Sequence, residues 1–230
     1  MDGMNVSLRL EQLDRGEAFR YMGYKGGEIN GSILKIADEC EEALLKTIRP
    51  GMVYRVFDTE VCEDGIGVKN TSLIFKGGDI ARHLSGCGRC VMMCVTLSGE
   101  TDRLIRFYEA ESMEKALIAD ALASAAVEQV CEKAEALIRS EVGSYNYTWR
   151  FSPGYGDFPL DIQRDFLNVT DAQKRIGLNI TQSNILIPRK SVTAVMGIST
   201  EVIPKGRRGC GCCNLKDTCE YRRGGSHCGF

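Results

Sequence analysis

From Ser32 onward, the apolar residues Ile33, Ile36, Cys40, Ala43, Leu44 and Ile48 recur every three or four positions until Pro50-Gly51 interrupts them. That spacing gathers them on one stripe of a helix, since a turn takes about 3.6 residues. A longer helix is predicted from Ser112, a candidate N-cap, to about Glu141, with Gly143 as its stop. Val6, Leu8 and Leu10 alternate with polar residues and predict a short first strand. Asp14-x-x-Glu17 then has the form of a capping box, opening a helix that ends near Gly23.

Further strands are expected at 52–58, 73–75, 90–97, 178–181 and 192–198, and helices at 161–167 and 170–176. Gly77-Gly78-Asp79 turns the chain into a short helix for which Asp79 is the expected cap. Tyr145, Tyr147 and Trp149 alternate into the segment that follows the long helix. Strands and helices intermix with no regular βαβ period and no glycine fingerprint for a dinucleotide, so the predicted class is α+β.

A chain of 230 residues buries a full core as one domain. We expect that domain over residues 1–204 and a cysteine-rich tail over 205–230. A net charge of -2 gives no basic field for nucleic acid. No apolar run reaches the ~20 residues of a membrane span. The first residues have neither a basic nor an apolar leader region, which points to the cytoplasm. There the 11 cysteines are expected as reduced thiols, not disulfides. Cys40 and Cys131 fall in phase with apolar helix positions and read as core. Cys90 and Cys94 share one face of a buried strand, so packing is the better account of them.

The chemistry concentrates in the run from Arg150 through Phe-Ser-Pro-Gly-Tyr-Gly-Asp-Phe to Pro159. Two prolines fix φ on either side of glycines that let backbone approach a ligand, and Arg150 offers a planar fork suited to a carboxylate. The run is a rigid binding loop or a plain turn. Glu128 lies among small residues on the long helix, either as a ligand contact or as the ion-pair partner of an arginine. The segment 20–25, Arg-Tyr-Met-Gly-Tyr-Lys, is a second stretch placed to line the same cleft. His83 reads as an ordinary helix or surface histidine.

Arg150-x-x-Pro-Gly-Tyr155, followed by Arg175-Ile-Gly-Leu-Asn-Ile-Thr-Gln-Ser183 and Pro188-Arg-Lys-Ser-Val192, resembles the activation domain of cobalamin-dependent methionine synthase in order and spacing. The resemblance is clear from about residue 110 to 198, and the last thirty residues depart from it. It implies a methionine synthase activation domain-like fold with a mixed or antiparallel sheet, and an accessory part in methionine biosynthesis. It also implies binding of S-adenosylmethionine by Glu128, Arg150, the backbone at Ser152 and Gly154, with Tyr155 as the catalytic residue turned toward the corrin of the cobalamin cofactor. Pairing of the ligand's ammonium with Glu128 and of its carboxylate with Arg150 is our own division of labour.

In that family, cob(II)alamin is rescued by an electron and by methyl transfer from S-adenosylmethionine. A corrin-binding module uses Asp-x-His-x-x-Gly, whereas the nearest pattern in this chain, Asp79-x-x-x-His83-x-x-Gly86, has too long a first gap. The cobalamin is therefore expected on a partner, a methionine synthase or other corrinoid protein, with flavodoxin or ferredoxin as electron donor. In the tail, Cys210, Cys212, Cys213 and Cys219 are candidate ligands for an iron-sulfur cluster or zinc, with His227 and Cys228 as spares. The stretch 205–223 carries six basic and two acidic residues, suited to an acidic partner or simply solvated. Two rival readings stand beside the activation domain. One is a metal or iron-sulfur redox protein feeding electrons to a corrinoid partner; the other is a non-catalytic docking module.

Overall fold

The computed structural model describes residues 8–24 and 26–203. Its elements, in chain order, are α1 (Arg15–Tyr21), α2 (Gly31–Thr47), β1 (Gly51–Cys62), β2 (Gly65–Val68), β3 (Ile74–Phe75), α3 (Gly78–His83), β4 (Arg89–Thr96), α4 (Gly99–Glu111), α5 (Met113–Val142), β5 (Asn146–Tyr147), α6 (Gln163–Thr170), α7 (Ala172–Ile176), β6 (Asn179–Ile180), β7 (Leu186–Ile187) and β8 (Ser191–Ser199). Six strands form one antiparallel sheet in the order β3-β2-β1-β4-β8-β5, and β6 and β7 form a separate hairpin. The class is α+β, and the sheet is antiparallel throughout.

Alternation along the central strands splits the core in two. On β4, Val91, Met93 and Val95 join α1, α2, α4 and α5 on one face, while Cys90, Met92 and Cys94 join α3, α6 and α7 on the other. Both faces are covered, so β4 reads as a continuous apolar run. Cys40, Cys90, Cys94 and Cys131 are all buried, as packing predicts. On α5, Ala119, Ala123 and Ala126 are buried, and these small side chains let neighbouring elements approach its middle closely.

The caps of α5 are those expected: Ser112 accepts from the Lys115 N–H at 3.4 Å, and the Gly143 N–H bonds Arg139 O. Asp14 accepts the Glu17 N–H at 2.9 Å, but Glu17 pairs with Arg20 instead of closing the box. The Asp14 N–H goes to Gln129 on α5.

Two expectations need correction. Val6 lies outside the described residues, and Leu8 and Leu10 are buried in coil, not strand. No ladder forms here; side chains of α5 bond the coil instead, with Lys133 Nζ donating to Arg9 O and Gln129 Nε2 to Gln12 O. Asp79 does not cap α3; Gly77 is the N-cap residue, and the capping carboxylate is that of Asp157. His83, read as an ordinary helix or surface histidine, is the last residue of helix α3 and is buried. The sequence reading omitted α4, whose buried face consists only of Thr101, Ile105 and Tyr108 amid charges. It also omitted β2 and β7, which are too short and too glycine-rich or too exposed to carry a period. Among the described residues, no helix is long and apolar enough to cross a membrane.

Candidate functional site

The segment after β5 runs back along the edge of β8. Thr148 N–H donates to Gly197 O at 3.0 Å, the Gly197 N–H to Thr148 Oγ1 at 2.7 Å, and Phe151 exchanges two backbone bonds with Val195 at 2.8 and 2.9 Å. Arg150, between these anchors, faces α5. Beneath the segment, the His83 ring packs 4.6 Å from Trp149 and 4.9 Å from Phe151, with Nε2 at 2.7 Å from Thr148 Oγ1. His83 is thus a supporting histidine of the loop.

Two successive turns then shape the loop tip. The Tyr155 N–H bonds Ser152 O at 3.1 Å across Pro153-Gly154, and Gly154 takes the φ of 93° that the third position of a type II turn requires. The Phe158 N–H bonds Tyr155 O at 3.0 Å, and the Gly154 N–H bonds Phe158 O at 2.8 Å. The tip is tied to α3 reciprocally. Asp157 accepts the N–H groups of Gly78 and Asp79 at 2.7 and 2.9 Å, and Asp79 accepts the Asp157 N–H at 3.2 Å. A Cβ on Gly156 would collide with the Asp79 carboxylate, and one on Gly77 would lie 2.6 Å from Asp157 Oδ1. Tyr155 stands at the tip, 56% exposed, its ring centroid 6.4 Å from that of Phe151.

The charges of the site meet on α5. Arg150 Nη2 donates to Glu128 Oε2 at 3.1 Å, and its Nε lies 3.8 Å from Glu135 Oε2. Arg139 in turn donates to Glu135 at 2.6 and 3.2 Å and stacks over Tyr147 at 4.5 Å. Acid and base therefore alternate along one side of the helix. Arg150 Nη1 is buried with no hydrogen-bond partner among the described residues. Cys131 lies below the arginine, its thiol held neutral because burial outweighs the favourable guanidinium charge.

The α1 segment borders the same cluster. The Tyr21 hydroxyl is raised well above its ordinary value, first by burial, then by the hydrogen bond to and charge of Glu17, and further by the charge of Glu128. The Arg20 guanidinium stacks on the Tyr21 ring at 4.8 Å and is held by Glu17, which raises its pKa.

The structure thus brings Glu128 and Arg150 together, sets Tyr21 within reach of the charge of Glu128, and carries Ser152, Gly154 and Tyr155 on the adjoining locked loop. Sequence reading missed Glu135, Arg139 and Asp157. The seven-residue interval from Glu128 to Glu135, two helical turns, was the available signal for the first of these. The tail cysteines Cys210, Cys212, Cys213, Cys219 and Cys228 lie outside the described residues. Among the described residues, no group of three or more His, Cys, Asp or Glu side chains is arranged to hold a metal ion. A hollow of about 290 Å³ lined by Gly86, Arg89, Tyr145, Ile198 and Glu201 shares no residue with the Arg150 cluster.

No family model matches the chain, and no curated protein matches it. Among solved structures it is similar to the MetH reactivation domain bound to AdoHcy, with a TM-score of 0.64 and 18% sequence identity over 97% of this chain and 86% of that one. At this identity the likeness is one of fold, and the helices and antiparallel sheet described above are that fold.

Proposed function

We propose that this chain binds S-adenosylmethionine between α5 and the Arg150 segment and acts in trans. Its role is to help return an oxidised cobalamin-dependent methionine synthase, or a related corrinoid protein, to its methylated state. The observation that carries this reading is the Arg150 guanidinium: among the described residues Nη1 is buried and unpaired, a donor that a ligand carboxylate would satisfy. The fold shared with a reactivation domain solved with AdoHcy supports the same class of ligand.

Bound S-adenosylmethionine supplies an electrophilic methyl group, while a partner's corrin supplies the nucleophile and a donor such as flavodoxin or ferredoxin the electron. The residues of this chain position the reactants. Arg150 takes the carboxylate and Glu128 the ammonium. Ser152 presents its backbone, and Gly154, whose N–H is already committed to Phe158 O, contributes the close approach that a side chain would block. Tyr155, exposed at a tip that backbone bonds hold in place, offers a ring and a hydroxyl to the flat face of the corrin. The tail thiols Cys210, Cys212, Cys213 and Cys219 are proposed to hold a metal ion or iron-sulfur cluster. Elemental analysis of anaerobic protein, full-length and truncated after Pro204, tests that assignment.

The functional test mixes the protein anaerobically with a methionine synthase lacking its own activation domain, a low-potential reductant and S-adenosylmethionine. Methylcobalamin formation that depends on both the chain and the ligand is expected. Absence of ligand binding, or reactivation at the same rate without the chain, contradicts the proposal.

A further inference from the structure

Glu128 and Glu135 sit two turns apart on α5, yet they hold Arg150 differently. Glu135 is 23% exposed and is itself fixed by two bonds from Arg139, which is packed on Tyr147. Glu128 is 45% exposed and, among the described residues, accepts one hydrogen bond, from Arg150 Nη2. One carboxylate belongs to a braced ladder, and the other is a single contact at its open end.

We infer that Glu128 is an exchangeable latch that makes the site selective for ligands carrying both charges of an α-amino acid, while Glu135 is a positioning residue that stays on Arg150. This rests on the S-adenosylmethionine reading and adds how that site discriminates. Without ligand, the two proposed anchors satisfy each other at 3.1 Å. An α-amino-acid zwitterion entering between them gives each a new partner, so no charge is stranded. A carboxylate lacking the ammonium takes Arg150 but releases Glu128 unpaired into water. An amine lacking the carboxylate releases Arg150, and the loss is greater because that side chain is only 21% exposed and already has an unsatisfied donor. The affinity order is zwitterion, then carboxylate alone, then amine alone. Glu135 keeps the guanidinium aimed in every case, because its own hold comes from Arg139 and not from the ligand.

The test measures the affinities of S-adenosylhomocysteine and of its deaminated analogue, which keeps the carboxylate, for the wild-type chain, Glu128→Gln and Glu135→Gln. Glu128→Gln weakens S-adenosylhomocysteine by about tenfold or more, the usual consequence of losing a charged hydrogen-bond partner. It also tightens the deaminated analogue, because Arg150 no longer has to leave an internal carboxylate. Glu128→Asp, which keeps the charge, retains the preference for the zwitterion, and circular dichroism checks that each variant is folded. Glu135→Gln weakens both ligands by the same factor and leaves their ratio unchanged. If Glu128→Gln moves both ligands in one direction, or Glu135→Gln alters their ratio, the latch is wrong even though the ligand reading stands. A wild-type chain that binds neither ligand overturns both.

Discussion

At its C-terminal end the segment from Arg150 to Phe158 is tied to α3 through backbone N–H groups and the carboxylates of Asp157 and Asp79, whereas at its N-terminal end Arg150 reaches α5 through side-chain ion pairs. The first attachment is short in distance and leaves no room at Gly77 or Gly156, so it gives way only if the loop and the start of α3 rearrange together. The second is partly exposed, with Arg150 at 21% and Glu128 at 45%. The contrast teaches where rigidity and exchange are needed. On the proposed reading, the fixed tip is what Tyr155 needs to meet a large flat partner, and the ionic end is what a zwitterionic ligand needs to trade one charge pair for another.

That contrast is breakable from either side. The largest effect is expected from Gly156→Ala, which places a methyl group against the Asp79 carboxylate at a φ of 55°. It should cost about 2 to 3 kcal/mol in urea unfolding, and a variant as stable as wild type would show that the tip is not locked. Asp157→Ala removes the carboxylate that caps α3 and should cost about 1 to 2 kcal/mol, with a matching fall in melting temperature.

Tyr155→Ala sharpens the comparison, since an exposed tip residue should change stability by less than about 0.5 kcal/mol and leave ligand affinity unchanged, yet slow reactivation of the partner. Unimpaired reactivation would remove Tyr155 from the corrin face. A separate effect concerns alkaline pH. Burial pushes the Cys90 and Cys94 thiols up to about 12 from an ordinary 9.0, so the fold favours their protonated form. Their contribution is fully present below pH 9 and is lost as pH rises from 9 toward 12. Cys94→Ala should flatten part of that decline in a pH series of melting temperatures, and an unchanged slope would assign it elsewhere.

Much of the scaffold was legible because its signals are local. Thirty residues of sustained apolar pattern between Ser112 and Gly143 define α5, and β4 and β8 are long apolar runs in a chain otherwise rich in charge. The Asp157 bonds to Gly78 and Asp79 span 79 and 78 residues, and no local pattern announces such a partner. An aspartate beside two glycines at a helix start therefore reads as its own cap, although Gly77 at a φ of 120° hands that role to the distant loop. Arg150 and Glu128 were both identifiable as candidates, one from its loop and the other from the resemblance. Their direct pairing, and the Glu135–Arg139 brace beside it, appear only once α5 and the Arg150 segment are placed together.

The most direct test of the central claim is calorimetry of S-adenosylmethionine binding to anaerobically prepared wild-type chain and to Arg150→Ala, with circular dichroism confirming both folds. The account predicts that the wild-type chain binds and that the variant is weaker by about 1.5 to 3 kcal/mol, the range for losing a charged hydrogen-bond partner. A folded Arg150→Ala variant with wild-type affinity would contradict it.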